Sequence, residues 1–270
     1  MLNADIEPGI LVADTITKMP AAAAGAVVVS GSHGGVYPGY LAAKAGVRAV
    51  ILNDAGVGKD AAGIESLGYL EQFGIAAATV SHLSCRIGDS ADMLARGTIS
   101  HANAPARVVG VAPGMACLAA ARSLMQALQV HVAPEPLREG RSEVPVRGGR
   151  RILLLDSSAM VLPEDAGHIV VCGSHGALVG GDPAMALETD AFAAAFHDAG
   201  IGIDDAGLTR LPVLDARRIA AFTVAAASAR IGDARSIFHD GVISVVNSTA
   251  GRLGAKPGDR ASEVLLRWSA

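Results

Sequence analysis

The sequence predicts an α/β protein made of two similar halves by internal duplication, each half a mostly parallel sheet with helices on its faces. Three observations predict it. A short phrase occurs twice, each time after an apolar β-branched run: Gly31-Ser32-His33-Gly34 follows Val27-Val28-Val29, and Gly173-Ser174-His175-Gly176 follows Ile169-Val170-Val171. Apolar runs of strand length alternate with stretches of helical spacing, the pattern of strands linked by covering helices. The other polar signatures return at a nearly constant offset, 142 positions from His33 to His175 and 144 from Asp54 to Asp198. Repetition at a fixed offset is the mark of a repeated structural unit.

In the first half, Ile10-Leu11-Val12-Ala13-Asp14 reads as a strand ending at an acid, 19 positions before His33. A strand at 26–30 runs into the Gly-Ser-His-Gly turn, and a helix is expected near 38–45. Val47 to Leu52 forms the next strand and ends at Asn53-Asp54. Ile64, Leu67, Leu70 and Phe73 recur at helical spacing and predict a helix over 60–73, stopped by Gly74. A strand at 75–81, a helix at 89–96, a strand at 98–101 and a long Ala/Leu/Met helix at 114–129 complete the unit. Residues 131–150 are rich in proline, glycine and arginine and predict an exposed polar linker. The domains are therefore 1–130, the linker 131–150, and 151–270, the last opening on Ile152-Leu153-Leu154-Leu155-Asp156 and closing on a helix around 262–268.

The echo extends well beyond the histidines. Asn53-Asp54-Ala55-Gly56-Val57-Gly58 returns as His197-Asp198-Ala199-Gly200-Ile201-Gly202. Ser84-Cys85-Arg86-Ile87-Gly88-Asp89 returns as Ser228-Ala229-Arg230-Ile231-Gly232-Asp233, and Ile99 to Asn103 as Ile243 to Asn247.

Composition bounds the function. Hydrophobic residues make up 51% and charged residues 18% of the 270 positions, which supports a large core and argues against disorder. Aromatics are only 3%, so Ala, Val, Ile and Leu fill that core. A net charge of −4 without a basic stripe excludes nucleic acid as the expected partner. The three cysteines, Cys85, Cys117 and Cys172, do not form a secreted disulfide framework. The N-terminus lacks a basic and apolar leader, and the alanine-rich stretch at 21–29 is too short to span a bilayer, so a cytoplasmic protein off the membrane is expected. Because duplicated units often descend from symmetric dimers, a homo-oligomer is compatible with the sequence.

In parallel α/β sheets ligands gather beyond the carboxyl ends of the strands, where the repeated polar residues fall. The expected chemistry is hydrolysis of an acyl C–N or C–O bond in a small polar molecule. Ser84 would be the nucleophile, His33 its base and Asp54 the group that orients the imidazole. Cys85, beside the Arg86 charge, is the alternative nucleophile. Ser32, Arg86, Asn103, Ser174, His175, Asp198, Arg230 and Asn247 are the expected substrate-binding groups, with Arg86 placed to bind a carboxylate or polarise a carbonyl. The first half carries the extra ionisable groups Lys59, His82, Cys85 and His101, which points to it as the working copy.

Two rivals belong to other classes. His33, His175, Asp54 and Asp198 could gather around a divalent metal if the halves face each other. Alternatively the glycine-rich turns could hold an anion without turning it over. No nucleotide or phosphate-loop motif is complete, so no organic cofactor is expected. The Ser-His-Gly phrase is shared with caspase-like peptidases, but Ala55 or Ala199 stands where their second strand ends in a cysteine, and that family is set aside.

Overall fold

Alternation along the strands decides the layers. In the first half Ile10, Val12, Val27, Val29, Ala49 and Ile51 enter one core, while Leu11, Ala13, Val28, Val50 and Leu52 enter another. A strand turns successive side chains to opposite faces, so apolar residues at every position demand a sheet covered on both sides. The computed structural model describes residues 3–270. Its first sheet has six strands in the order β1 (Asn3–Glu7), β2 (Ile10–Ala13), β3 (Val27–His33), β4 (Ala49–Asn53), β5 (Ala76–Val80) and β6 (Ile99–Ala102). The four central strands are parallel and both edges antiparallel.

The second sheet repeats that order with β7 (Arg141–Val144), β8 (Ile152–Leu155), β9 (Ile169–His175), β10 (Ala193–His197), β11 (Ala220–Val224) and β12 (Ile243–Val246). It too has parallel central strands and antiparallel edges. In the first half α1 (Val36–Lys44) and α2 (Glu65–Glu71) cover one face. The other is covered by α3 (Ser90–Arg96), α4 (Ala104–Val108) and α5 (Cys117–Leu124). The second half supplies α6 (Arg210–Ala216) on one face and α7 (Ala234–Asp240), α8 (Ser248–Arg252) and α9 (Ala261–Ser269) on the other. Where α1 sits in the first half, the second has only short 3-10 turns at Val179–Gly181 and Pro183–Met185. Gly180, Gly181 and Pro183 interrupt any helix there. No helix among the described residues is long and apolar enough to cross a membrane.

Three expectations shift. Strand β7 lies inside the segment read as linker, pairing Arg141 with Leu155 and Val144 with Ile152. An exposed edge strand carries little apolar signal, which is why its polar sequence conceals it. The helix expected over 60–73 begins only at Glu65, because Asp60 (φ 54) and Ala61 (φ 57) take left-handed backbone. The helix expected over 114–129 is held to Cys117–Leu124.

The halves meet at the carboxyl ends of their strands. Lys59 donates its backbone N–H to the Ala226 carbonyl at 2.8 Å, and Ile203 donates to the His82 carbonyl at 2.9 Å, a reciprocal pair. A methyl on Gly56 would sit 2.8 Å from the Gly200 Cα, so the two turns touch backbone to backbone. Ala55, Ala62 and Ile87 join Ala177, Ala199, Ala206 and Ile231 in a buried apolar cluster drawn from both halves. Around it Arg86 pairs with Asp204 at 3.0 Å, and Arg230 with Glu65 at 2.6 Å. Those pairs are partly exposed and add little energy; burial of the alanine and isoleucine cluster holds the seam.

The turn beside Asp198 is packed too closely for any added atom. A Cβ on Gly207 would lie 1.9 Å from the Asp198 carbonyl oxygen, and backbone cannot yield as a flexible side chain can. Gly207→Ala is therefore expected to destabilise the protein by about 3 kcal/mol in urea unfolding. A loss below about 1 kcal/mol would contradict this packing.

Candidate functional site

Strands β3 and β9 end at the seam, and their last residues, His33 and His175, line one cavity of about 270 Å³ between the halves. The first half adds Ser32, Tyr37 and Leu41 to its wall; the second adds Glu139, Ser174 and Arg210. Each imidazole leans on a glycine of the opposite half. His33 Cε1 lies 3.3 Å from where a Gly232 Cβ would stand, and His175 Cε1 lies 3.5 Å from that of Gly88. Gly232 also has φ +81, a conformation side chains rarely adopt, so backbone geometry favours glycine there and an added Cβ would crowd the His33 ring.

The rings are held as neutral donors. Gly35 donates its N–H to His33 Nδ1 at 3.2 Å, and Ala177 donates to His175 Nδ1 at 3.3 Å. With Nδ1 accepting, the proton of each neutral ring resides on Nε2. Burial drives the His33 pKa down to about 3, with His197 adding repulsion. Burial also takes His175 well below the ordinary histidine range, helped by the Arg210 charge and by His33. Neither ring is protonated at neutral pH, so neither works as an imidazolium; both present Nε2–H as hydrogen-bond donors.

Glu139 has the opposite character. It sits half-buried just before β7, and burial, reinforced by the Asp156 charge, raises its pKa to about 7. The nearby Ser157 and Tyr37 hydroxyls favour the charged carboxylate and restrain the rise. Asp156 is itself fixed, accepting from the Gly140 N–H at 2.6 Å and the Ala234 N–H at 3.0 Å. A carboxyl that exchanges its proton near neutrality, in a cavity, has the property a general acid or base needs.

Arg210 is the third unusual group. Its residue is 1% exposed, and its guanidinium donates to the Ala177 carbonyl at 2.9 Å and the Ala186 carbonyl at 2.5 Å. It occupies the station that Ser66 holds in the first half: the Arg210 N–H donates to the Gly176 carbonyl as the Ser66 N–H does to Gly34, each at 2.9 Å.

The structure distributes the expected catalytic groups differently from the expected triad. Asp54 Oδ1 pairs with His82 Nδ1 at 2.8 Å and accepts the His82 N–H, so it orients His82, not His33. The Ser84 hydroxyl donates to the Ser81 carbonyl at 2.8 Å and accepts from the Thr98 N–H at 2.9 Å, which makes it a turn brace. Cys85 is fully buried, and burial pushes its thiol up to about 12, removing the thiolate that a nucleophile needs.

Among the expected binding groups, Ser32 and Ser174 line the cavity, each accepting one backbone N–H at 3.0 Å, from Ile16 and Ser158. Arg86 and Arg230 form the partly exposed seam pairs described above, and Arg230 also lines a neighbouring pocket with His33, Tyr37 and Glu139. Asp198 accepts from the Gly200 N–H at 2.8 Å and the Ala226 N–H at 2.9 Å, fixing its own turn. Asn103 and Asn247 are buried and cap α4 and α8 while bonding the neighbouring strands. Asp54 and Asp198 are thus committed elsewhere and do not join His33 and His175. Among the described residues no group of three or more His, Cys, Asp or Glu side chains is arranged to hold a metal ion.

The buried rings set an acid limit on stability. A histidine whose folded pKa is depressed binds protons preferentially when unfolded, so its contribution is complete above about pH 6.5 and fades as pH falls toward the folded value. His197 belongs to this set: burial lowers its pKa, and it donates Nε2–H to the Ala229 carbonyl while Nδ1 accepts from the Ala199 N–H. Each such ring is expected to cost up to about 2 kcal/mol between pH 6.5 and pH 5. His197→Asn restores the residue found at Asn53, whose Oδ1 accepts the Ala55 N–H at 2.9 Å. It is expected to fold and to flatten the acid slope in urea unfolding; an unchanged slope would contradict the assignment.

No family model matches the chain, and no curated protein or solved structure matches it either.

Proposed function

We propose that this protein is a small-molecule hydrolase whose site is the cavity between its halves, acting on an acyl C–N or C–O bond with water as the nucleophile. One observation carries the reading: Glu139, with a pKa raised to about 7, shares that cavity with the neutral Nε2–H donors of His33 and His175. The Glu139 carboxylate takes a proton from water as its oxygen attacks the acyl carbon. The carbonyl oxygen gains the negative charge and is held by the imidazole N–H groups, which need no reorganisation to receive it. When the tetrahedral species collapses, the C–N or C–O bond breaks and the Glu139 proton passes to the leaving nitrogen or oxygen. The products are a carboxylic acid and an amine or alcohol. The neutral rings match this role because an imidazole pinned by a backbone N–H polarises without changing charge.

A duplicated ancestral unit accounts for both halves, supported by the shared strand order and by reciprocal contacts such as Lys59 with Ala226 and Ile203 with His82. The three unpaired cysteines suit a reducing, cytoplasmic setting. The test is incubation of wild type and Glu139→Gln with a panel of small esters and amides, followed by mass spectrometry. Hydrolysis by wild type and not by the variant is expected. A compound that stabilises the protein against heat yet is recovered unchanged would support binding without catalysis.

A further inference from the structure

Burial of a cation without a counter-charge is costly, because the water it loses must be replaced by something equally polar. Arg210 is so buried, and its partners are all neutral: the Ala177 and Ala186 carbonyls, the Ser158 hydroxyl at 3.4 Å, and the Phe196 ring, whose centroid lies 5.1 Å from the guanidinium carbon. Burial lowers its pKa to about 10, which still leaves the group charged at neutral pH. A guanidinium has five N–H groups, and these contacts use three. One N–H on each terminal nitrogen has no partner among these contacts, and the side chain lines the cavity; a guanidinium can offer such a pair to the two oxygens of a carboxylate.

We propose that Arg210 anchors a carboxylate on the ligand of the cavity, so that the substrates are small monocarboxylates that also carry the acyl bond to be cut. The proposal deepens the hydrolytic reading and rests on the same cavity. Beside the guanidinium, Val179, Met185 and Leu187 give the wall an apolar stretch that suits a short aliphatic or aromatic body. A phosphate dianion fits less well, since it would bring two charges into a cavity where three acids, Glu139, Asp156 and Glu188, already outnumber the two cations Lys18 and Arg210. Arg210 holds the ligand's charged end and the imidazole edges face its carbonyl, which gives the substrate a direction in the site.

Calorimetric titration at pH 6, where Glu139 retains its proton, tests this. Butyrate, benzoate and N-acetylglycine are each compared with the corresponding neutral amide, and inorganic phosphate is titrated as a rival. Wild type and Glu139→Gln are expected to bind the acids at least about tenfold more tightly than the amides. That preference should vanish in Arg210→Met. Because Arg210 also ties down two carbonyls, a second variant, Ser158→Asp, places a carboxylate on the residue whose hydroxyl meets the guanidinium at 3.4 Å. It is expected to lose acid binding while keeping amide binding. Equal affinity for acid and amide, no acid binding, tighter binding of phosphate, or a preference that survives both variants would each overturn the anchor. Acid binding by Glu139→Gln does not depend on catalysis, so failure of the hydrolytic reading would leave this result standing. Turnover that shows no preference for acids would remove the anchor alone.

Discussion

Above pH 7, Glu139→Gln is expected to lower turnover by about 10²–10⁴-fold, the usual contribution of a positioned acid or base, while making the protein more stable. The two effects share one origin. Burial and the Asp156 charge lift the folded pKa of Glu139 to about 7 from the ordinary 4.5. The unfolded chain loses that proton more readily, so this group's contribution is full below about pH 4.5 and is lost as pH rises through about 7. With allowance for the carboxyl's contact with water, the loss is about 1–2 kcal/mol. Glutamine keeps the shape without the charge and removes that loss. Turnover by wild type should rise through pH 7 to a plateau as the base ionises, and the limb should be absent from any residual activity of the variant. Kinetics and urea unfolding on the same preparations check the pair. Loss of activity together with loss of stability at pH 8 would instead mean that Glu139 is a structural residue.

His33→Ala and His175→Ala are each expected to lower kcat by about 10²–10³-fold, as removal of one oxyanion donor does. The distinctive expectation concerns pH. A histidine acting as general base would impose a limb near 6.5, whereas burial takes His33 to about 3 and keeps it neutral throughout the working range. Wild type should therefore show no limb near 6.5 separate from that of Glu139. Both variants should also resist acid better, since each removes a ring that unfolding would protonate. A limb near 6.5 that disappears with His33 would return this residue to the base role expected from sequence.

Sequence alone marks two residues of the cavity, His33 and His175, but not the charge state of the groups that line it. The doubled Gly-Ser-His-Gly phrase marks the ends of β3 and β9, and both histidines reach the same cavity. The phrase carries no information about charge state, which depends on burial across the seam and on the Gly35 and Ala177 N–H donors. Ser84, Asp54, Asn103 and their counterparts recur in the second half because identical turns need identical braces, and such bracing is indistinguishable from catalytic retention in the letters. Glu139 was concealed by its setting: a glutamate among prolines and arginines reads as solvated until the fold carries it against Asp156. Arg210 left one faint sign, a cation where the first half has Ser66, but comparison of the halves drew attention to groups found only in the first. Strand β7 was hidden for the same reason as Glu139, since an exposed edge has no apolar face to announce it.

The most direct measurement is a carbon-13 titration of the glutamate carboxyl signals in the folded protein, with Glu139→Gln used to assign the resonance. One glutamate is expected to titrate near pH 7, two or more units above the usual range, and to be missing from the variant. If every glutamate titrates near pH 4.5, the cavity contains no group able to exchange a proton at neutrality, and the proposed chemistry is contradicted.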